Sequence, residues 1–132
     1  MKTVDDTAIR KLRERRGRRS ETIAALILML KGYRILGRRV RLPLGEIDII
    51  ARAPSGILCF VEVKMRSLGE TALDSLGARQ QMRIARAAEL YLNQQPQLAR
   101  KGVRFDIVTI GPRGLPRHLR DAWRPDWQGR CA

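Results

Sequence analysis

Acidic residues are scarce in this chain. Thirteen Asp and Glu stand against 27 Lys and Arg, a formal net charge of +14 at pH 7 and a pI near 11.4. So basic a surface points to nucleic acid as the partner. Twenty-two of the basic residues are Arg, whose planar fork suits phosphate better than a lysine point charge. An anionic membrane is the alternative polyanion, but no long basic amphipathic helix with bulky apolar residues opposite supports it, and no membrane partner is expected. Cysteine is nearly absent. Cys59, in a strand-like run, and Cys131, in the tail, make neither a disulfide framework nor a zinc site. Long hydrophobic runs are missing too: the longest, residues 23–30, is too short to span a bilayer. The opening Met1-Lys2-Thr3-Val4-Asp5-Asp6 lacks a signal-peptide pattern, so a reducing cytoplasm is the expected compartment. No internal repeats are visible, and no second domain is expected within these residues. A chain of 132 residues with 44% hydrophobic content makes one domain with a real core.

What the chain does have is concentrated in residues 45–66, two strand-like runs joined by the turn Pro54-Ser55-Gly56. Ile47, Ile49, Ile57, Phe60, Val61 and Val63 supply the β-branched and aromatic residues. Glu46, Asp48, Glu62 and Lys64 interrupt these buried-looking runs, where ionised groups are costly unless paired or metal-bound. Alternation puts Glu46 and Asp48 on one face, and Glu62 and Lys64 on one face. A hairpin symmetric about Ser55 sets Asp48 opposite Glu62 and Glu46 opposite Lys64, with Cβ atoms roughly 4.5–5.5 Å apart. Two carboxylates that close repel unless a cation or a proton intervenes. Mg²⁺ or Mn²⁺ is such a cation, held by one or two carboxylates with water and phosphate oxygens completing the shell. The competing reading is a cross-strand Glu46–Lys64 salt bridge on a half-exposed sheet.

Asp48, then Glu62-Val63-Lys64 after 13 intervening residues, resembles the PD-(D/E)XK nuclease signature. The fuller pattern resembles the YraN family of endonuclease-like bacterial proteins. Its matching pieces are Gly17-Arg18-Arg19-Ser20-Glu21, Gly32-Tyr33-Arg34-Ile35-Leu36, Gly45-Glu46-Ile47-Asp48, Phe60-Val61-Glu62-Val63-Lys64, Arg104-Phe105-Asp106 and the segment from His118 to Trp123. The resemblance implies a single restriction-endonuclease-like α/β domain, a mixed sheet of about four strands flanked by helices. It implies metal at Asp48, Glu62 and the Val63 carbonyl, catalysis by Lys64, and Glu21 near the active site. Glu46 is a further catalytic candidate. The family commonly carries Asn where Arg39 stands and Lys where Gln80 stands. A homodimer, as in junction resolvases, stays open.

The remaining chain reads as follows. Residues 1–19 form a basic arm or helix, capped by Asp5 or Asp6 and interrupted at Gly17, either solvated or touching phosphate. Ser20 caps a helix to about residue 31, with Ile23, Leu26, Ile27 and Leu30 as its buried stripe, widened by Leu28 and Met29, and Gly32 closing it. Residues 33–42 make the first strand. Residues 67–76 are a connector or a loop that covers substrate. A helix over residues 77–93 buries Ile84, Ala87, Ala88 and Tyr91, with Gln80 at the rim of that face or aimed at something polar. Residues 103–110 make the last clear strand, with Asp106 read as structural. The tail, residues 112–132, packs on the core formed by residues 20–111. There His118 is a general base or a hydrogen-bonding partner, and Trp123 and Trp127 either pack or stack on bases. Phosphate contacts are expected from Arg18, Arg19, Arg38, Arg39, Arg66 and the helix stripe of Arg79, Arg83 and Arg86. The expected function is metal-dependent phosphodiester hydrolysis, DNA favoured; the rivals are a non-catalytic nucleic-acid-binding module and a basic interaction subunit.

Overall fold

The computed structural model describes residues 2–67, 69, 71–72 and 76–125. Helix α1 (Lys2–Leu30) leads into strands β1 (Arg34–Leu42), β2 (Gly45–Arg52) and β3 (Leu58–Met65). Helix α2 (Ala78–Gln94) and a 3-10 turn (Pro96–Ala99) precede β4 (Val103–Ile110) and β5 (Pro116–Trp123). The strands form one sheet in sequence order, antiparallel except for the β3–β4 pair, which is parallel and joined through α2. A parallel pair needs such a crossover.

The sheet is mixed, as expected, but has five strands rather than about four. The extra one is β5, whose sequence Pro-Arg-His-Leu-Arg-Asp-Ala-Trp carries too little apolar alternation to announce a strand. As an edge strand it needs apolar side chains on one face only, and Pro116 at its start costs no inner ladder bond. Trp123 at its end packs on Phe105 with centroids 4.5 Å apart, and Phe105 stacks on Phe60. Trp127 and Cys131 lie outside the described residues.

Helix α1 corrects two expectations. It runs unbroken through Gly17 and Ser20, where the sequence predicts an interruption and a new cap. One glycine inside a helix costs only about 1 kcal/mol, too little to stop a helix held by packing further on. The Thr22 hydroxyl donates back to the Arg18 carbonyl (2.9 Å), a bond within a continuing helix. The buried stripe is also displaced. Ser20, Glu21, Ala24, Ala25 and Leu28 face inward, whereas Leu26, Met29 and Leu30 are exposed. The sheet face beneath already carries Ile49, Val61, Val63 and Val108, so a close-packed helix meets it through alanines. Gly32 (φ 88) ends the helix as expected, with Tyr33 N donating to Leu28 O and Gly32 N to Met29 O.

Two cores result, one under each helix. Ala24, Ala25, Leu28, Tyr33, Ile49, Val61, Val63 and Val108 fill the α1 side; Ile47, Ile50, Phe60, Ile84, Ala87, Ala88 and Phe105 fill the α2 side.

Asp106 is fully buried and ties β4 to β5. It accepts from both Nε and the terminal nitrogen of Arg104 (2.8 Å each), the Asp121 N–H (3.0 Å) and His118 Nε2 (2.7 Å). Burial alone raises its pKa, but the bonds from His118, Arg104 and the Asp121 amide outweigh burial and hold it below the usual carboxylate range. His118 Nδ1 meets Lys31 Nζ at 3.0 Å, which leaves Nε2 as the N–H that donates to Asp106. His118→Ala is therefore expected to cost about 1–3 kcal/mol in urea unfolding at pH 7, the penalty for stripping one partner from a buried acceptor. The Asp106 contribution, from a depressed carboxylate, is present above pH 3.8 and lost as pH falls through the lower folded value. A His118→Ala midpoint equal to wild type would remove the network from the stability of β5.

Candidate metal centre

The acids converge because the β1–β2 ribbon changes faces. Ile49 and Ala51 pack beneath α1, whereas Ile47, Val40 and Leu42 pack with the α2 core. Between the paired Arg38↔Ile49 and Val40↔Ile47 stands Arg39, with φ 50 in the left-handed region. Asp48 lies at that change of face. Gly45 then lets the ribbon press on α2, since a Cβ there would come within 3.0 Å of the Arg83 carbonyl oxygen.

The hairpin register is the one expected. Ile49↔Val61, Ile50↔Phe60, Ala51↔Cys59 and Arg52↔Leu58 are centred on Ser55. Beyond Ile49 the ladder ends, and the Asp48 carboxylate takes the next donor itself, accepting from the Val63 N–H at 2.9 Å. Glu46 does not oppose Lys64. Past the end of the β2–β3 ladder it turns outward and pairs with Arg41 at 3.3 Å, its cross-strand neighbour on β1. Lys64 instead sits 3.8 Å from Glu62 on its own strand.

These groups line a cleft of about 810 Å³ whose walls include Ser20, Glu21, Glu46, Asp48, Glu62, Val63, Lys64, Arg79, Gln80 and Arg83. Glu21 reaches it because the stripe that packs α1 on the sheet continues one turn beyond Ala24 and Ala25. Carboxylate oxygens of Glu21, Glu46 and Asp48 lie within 4.8 Å of one another. Glu62 is buried beside them and accepts from Gln80 Nε2 at 2.8 Å. Gln80 therefore points at the acids, which corrects the rim placement the sequence favours: the helix face that buries Ile84 carries it onto Glu62. Arg39 pairs with Glu21, so its charge is engaged by an acid of the cleft rather than left free for phosphate.

The electrostatics are those of crowded acids. Glu62 is pushed up to about 9, first by burial and then by the neighbouring Asp48 charge, with Lys64 opposing. Asp48 is raised as well, by burial first, against the lowering bond from Val63 N–H. Without a cation, Glu62 keeps the proton and shares it with Asp48.

A divalent ion fits this donor set. Ligands of one octahedral Mg²⁺ at about 2.1 Å sit roughly 3 Å apart when adjacent and about 4.2 Å apart when opposite. A spread of 4.8 Å needs side-chain movements of only a few tenths of an ångström. Hard oxygen donors suit Mg²⁺ or Mn²⁺.

The remaining site residues read from the sequence are placed less centrally. Arg18 and Arg19 are exposed on α1 next to Gly17 and Ser20 of the cleft wall. Arg79 and Arg83 line the cleft, and Arg86 is exposed further along the same helix. Arg38 donates to the Thr22 hydroxyl at 3.0 Å. Arg66 is half-buried past Lys64 with a partnerless Nε. His118 is outside the cleft, with its side chain 1% exposed. The segment after β3 is described only in part, so a covering role for it lies outside the described residues.

The family model of the uncharacterised protein family UPF0102 matches residues 20–110, from the second half of α1 to the end of β4. A UPF0102 protein of Rhizobium johnstonii is 52% identical over 119 residues, covering 90% of this chain and 97% of the relative. One from Parvibaculum lavamentivorans is 50% identical over 111 residues, covering 84% and 83%. One from Paramagnetospirillum magneticum is 46% identical over 117 residues, covering 86% and 90%.

Proposed function

The chain belongs to the uncharacterised protein family UPF0102, and from the acidic cleft of this member we propose a divalent-metal-dependent phosphodiesterase, an endonuclease acting on nucleic acid. One observation carries the reading. Glu21, Glu46 and Asp48 bring carboxylate oxygens within 4.8 Å of one another, beside a buried Glu62 with Lys64 two residues on. Folding gains nothing from assembling acids that repel; a cation and a phosphate give the cluster a purpose.

Asp48, Glu62, Glu21 and Glu46 are the residues that would hold Mg²⁺ or Mn²⁺, with the Val63 carbonyl as a further oxygen. When bound, the ion supplies Lewis-acid polarisation of the phosphate and a more acidic water. The chain's own groups do the rest. The Val63 N–H fixes one Asp48 oxygen, and Gln80 fixes one Glu62 oxygen, so both carboxylates are oriented before substrate arrives. Lys64 places its ammonium beside Glu62, where it can neutralise charge developing on a phosphate oxygen or orient a water. Arg79 and Arg83 on the wall, with Arg18, Arg19 and Arg86 nearby, supply backbone phosphate contacts.

A non-catalytic nucleic-acid-binding module is the second reading. It is favoured by Arg39, whose guanidinium pairs with Glu21 and also feels the charges of Glu46 and Asp48, an internal counter-charge for the cluster. Titration calorimetry with Mn²⁺ tests the metal. Asp48→Asn is expected to weaken binding at least tenfold while affinity for duplex DNA survives, because phosphate contacts come from arginines. Equal Mn²⁺ affinity in wild type and Asp48→Asn would dispose of the metal centre.

A further inference from the structure

The domain carries a second cleft, of about 540 Å³, where the β2–β3 turn meets the 3-10 turn that follows α2. Arg52, Ala53, Pro54, Gly56, Gln97, Leu98, Arg100 and Lys101 line it, and none of these is an acid. The acidic cleft begins at the first turn of α2 and this one lies past the last, so the two are separated by that helix, about 25 Å long.

Two features of this cleft cost stability and find no partner inside the protein. Arg52 has a buried Nε with no hydrogen-bond partner, although a buried guanidinium nitrogen is normally satisfied. Arg52 also stands directly across the ladder from Arg34, and like charges so opposed are destabilising. Among the described residues, none of Arg34, Arg52, Arg100 and Lys101 makes an ion pair. Lys101 is held close as well: a Cβ on Gly56 would lie 2.4 Å from Lys101 Cδ and 3.3 Å from its Nζ. Gly56, at φ 94, thus serves both the turn and the seating of the lysine.

We propose that this cleft is a phosphate-binding site, in which Arg52, Arg100 and Lys101 receive one phosphate group and Arg34 adds its charge from the neighbouring strand. An oxyanion with several acceptor atoms satisfies the stranded Arg52 nitrogen and relieves the Arg34–Arg52 opposition together, whereas a carbonyl brings no charge and a halide only one acceptor atom. The phosphate comes either from a nucleic-acid backbone or from a free phosphate compound. The site stands independently of metal-dependent hydrolysis at the acidic cleft.

The test is an NMR titration of the amides of Arg52, Gly56, Leu98 and Lys101 with inorganic phosphate, against chloride at matched ionic strength. Saturable shifts at these amides are expected with phosphate and not with chloride. Arg100→Gln and Lys101→Gln, both exposed positions that leave the core intact, should each weaken phosphate about tenfold, the loss of one charge-assisted contact. The same shifts should persist in Asp48→Asn, which separates this site from the acidic cleft. Phosphate shifts no larger than those in chloride, or Lys101→Gln and Arg100→Gln titrating like wild type, would overturn the proposal. A second titration uses an oligonucleotide without terminal phosphates. Shifts at the same amides identify a backbone phosphodiester as the ligand; phosphate shifts with a silent oligonucleotide identify a free phosphate compound.

Discussion

Lys64→Met should lower cleavage by a factor of about 10²–10³ while Mn²⁺ and nucleic-acid binding persist. That factor is typical of removing one preorganised contact to developing charge. Methionine keeps much of the apolar stem and discards only the ammonium. The side chain is 28% exposed and 3.8 Å from Glu62, so its charge faces the cleft and not the bulk. A purely structural Lys64–Glu62 pair predicts something different: at most about 1 kcal/mol of stability, with cleavage untouched. Single-turnover assays on linear duplex, branched DNA and RNA read the difference. Cleavage by Lys64→Met at the wild-type rate would sink the proposed role of the lysine. Wild-type protein that binds these substrates with Mn²⁺ and cleaves none of them would favour the binding module.

The second large effect concerns pH. Metal-free protein should lose stability steadily from about pH 4.5 to about pH 9, and Glu62→Gln should remove most of that slope. The sign follows from linkage. Glu62 binds its proton more tightly in the folded state, where its pKa is about 9, than in the unfolded chain, near 4.5. Its contribution is complete below pH 4.5 and disappears as pH rises through 9. While that window is open, the slope is at most about 1.4 kcal/mol per pH unit. Asp48 and Glu62 share the proton, so the transition is broader than that of one isolated acid. Urea denaturation in chelator at several pH values measures it. A flat wild-type profile would show that Glu62 titrates as an ordinary carboxylate. Divalent ion should restore stability at the alkaline end, where both carboxylates are charged.

Arg39 links the two expectations. Its left-handed backbone sits where the ribbon changes faces, and its guanidinium holds Glu21. Substitutions at Arg39 therefore alter strand geometry and cluster charge together, and are poorer probes of the site than Lys64 or Glu62.

How much of this was legible without a structure depended on the range of the forces involved. The hairpin about Ser55, with Asp48 and Glu62 brought together, followed from alternation and a Pro-Ser-Gly turn, both local effects. The α2 face of Ile84, Ala87 and Ala88 followed from helical periodicity in the same way, as did the Gly32 stop. The excess of arginine is a sum over composition and needs no fold. Other features depended on what packs against what. Alternation alone set Glu46 against Lys64, yet the ladder stops at Ile49 and β1 claims Glu46 through Arg41. Helical periodicity favoured the large residues of α1, yet the occupied sheet face fully buries Ala24, Ala25 and Leu28 with Ile23 at their flank, which sends Leu26 and Leu30 outward. That same choice of face delivers Glu21 to the acids. Gln80 reaches Glu62, and β5 joins the sheet, through partners distant in sequence. The sequence by itself determined the first four strands, the α2 helix, the charge and the acid pair, because those arise between near neighbours. Only the tertiary structure decided which acids meet and which arginines are left without partners, because close packing selects one face of each element and no local pattern records which.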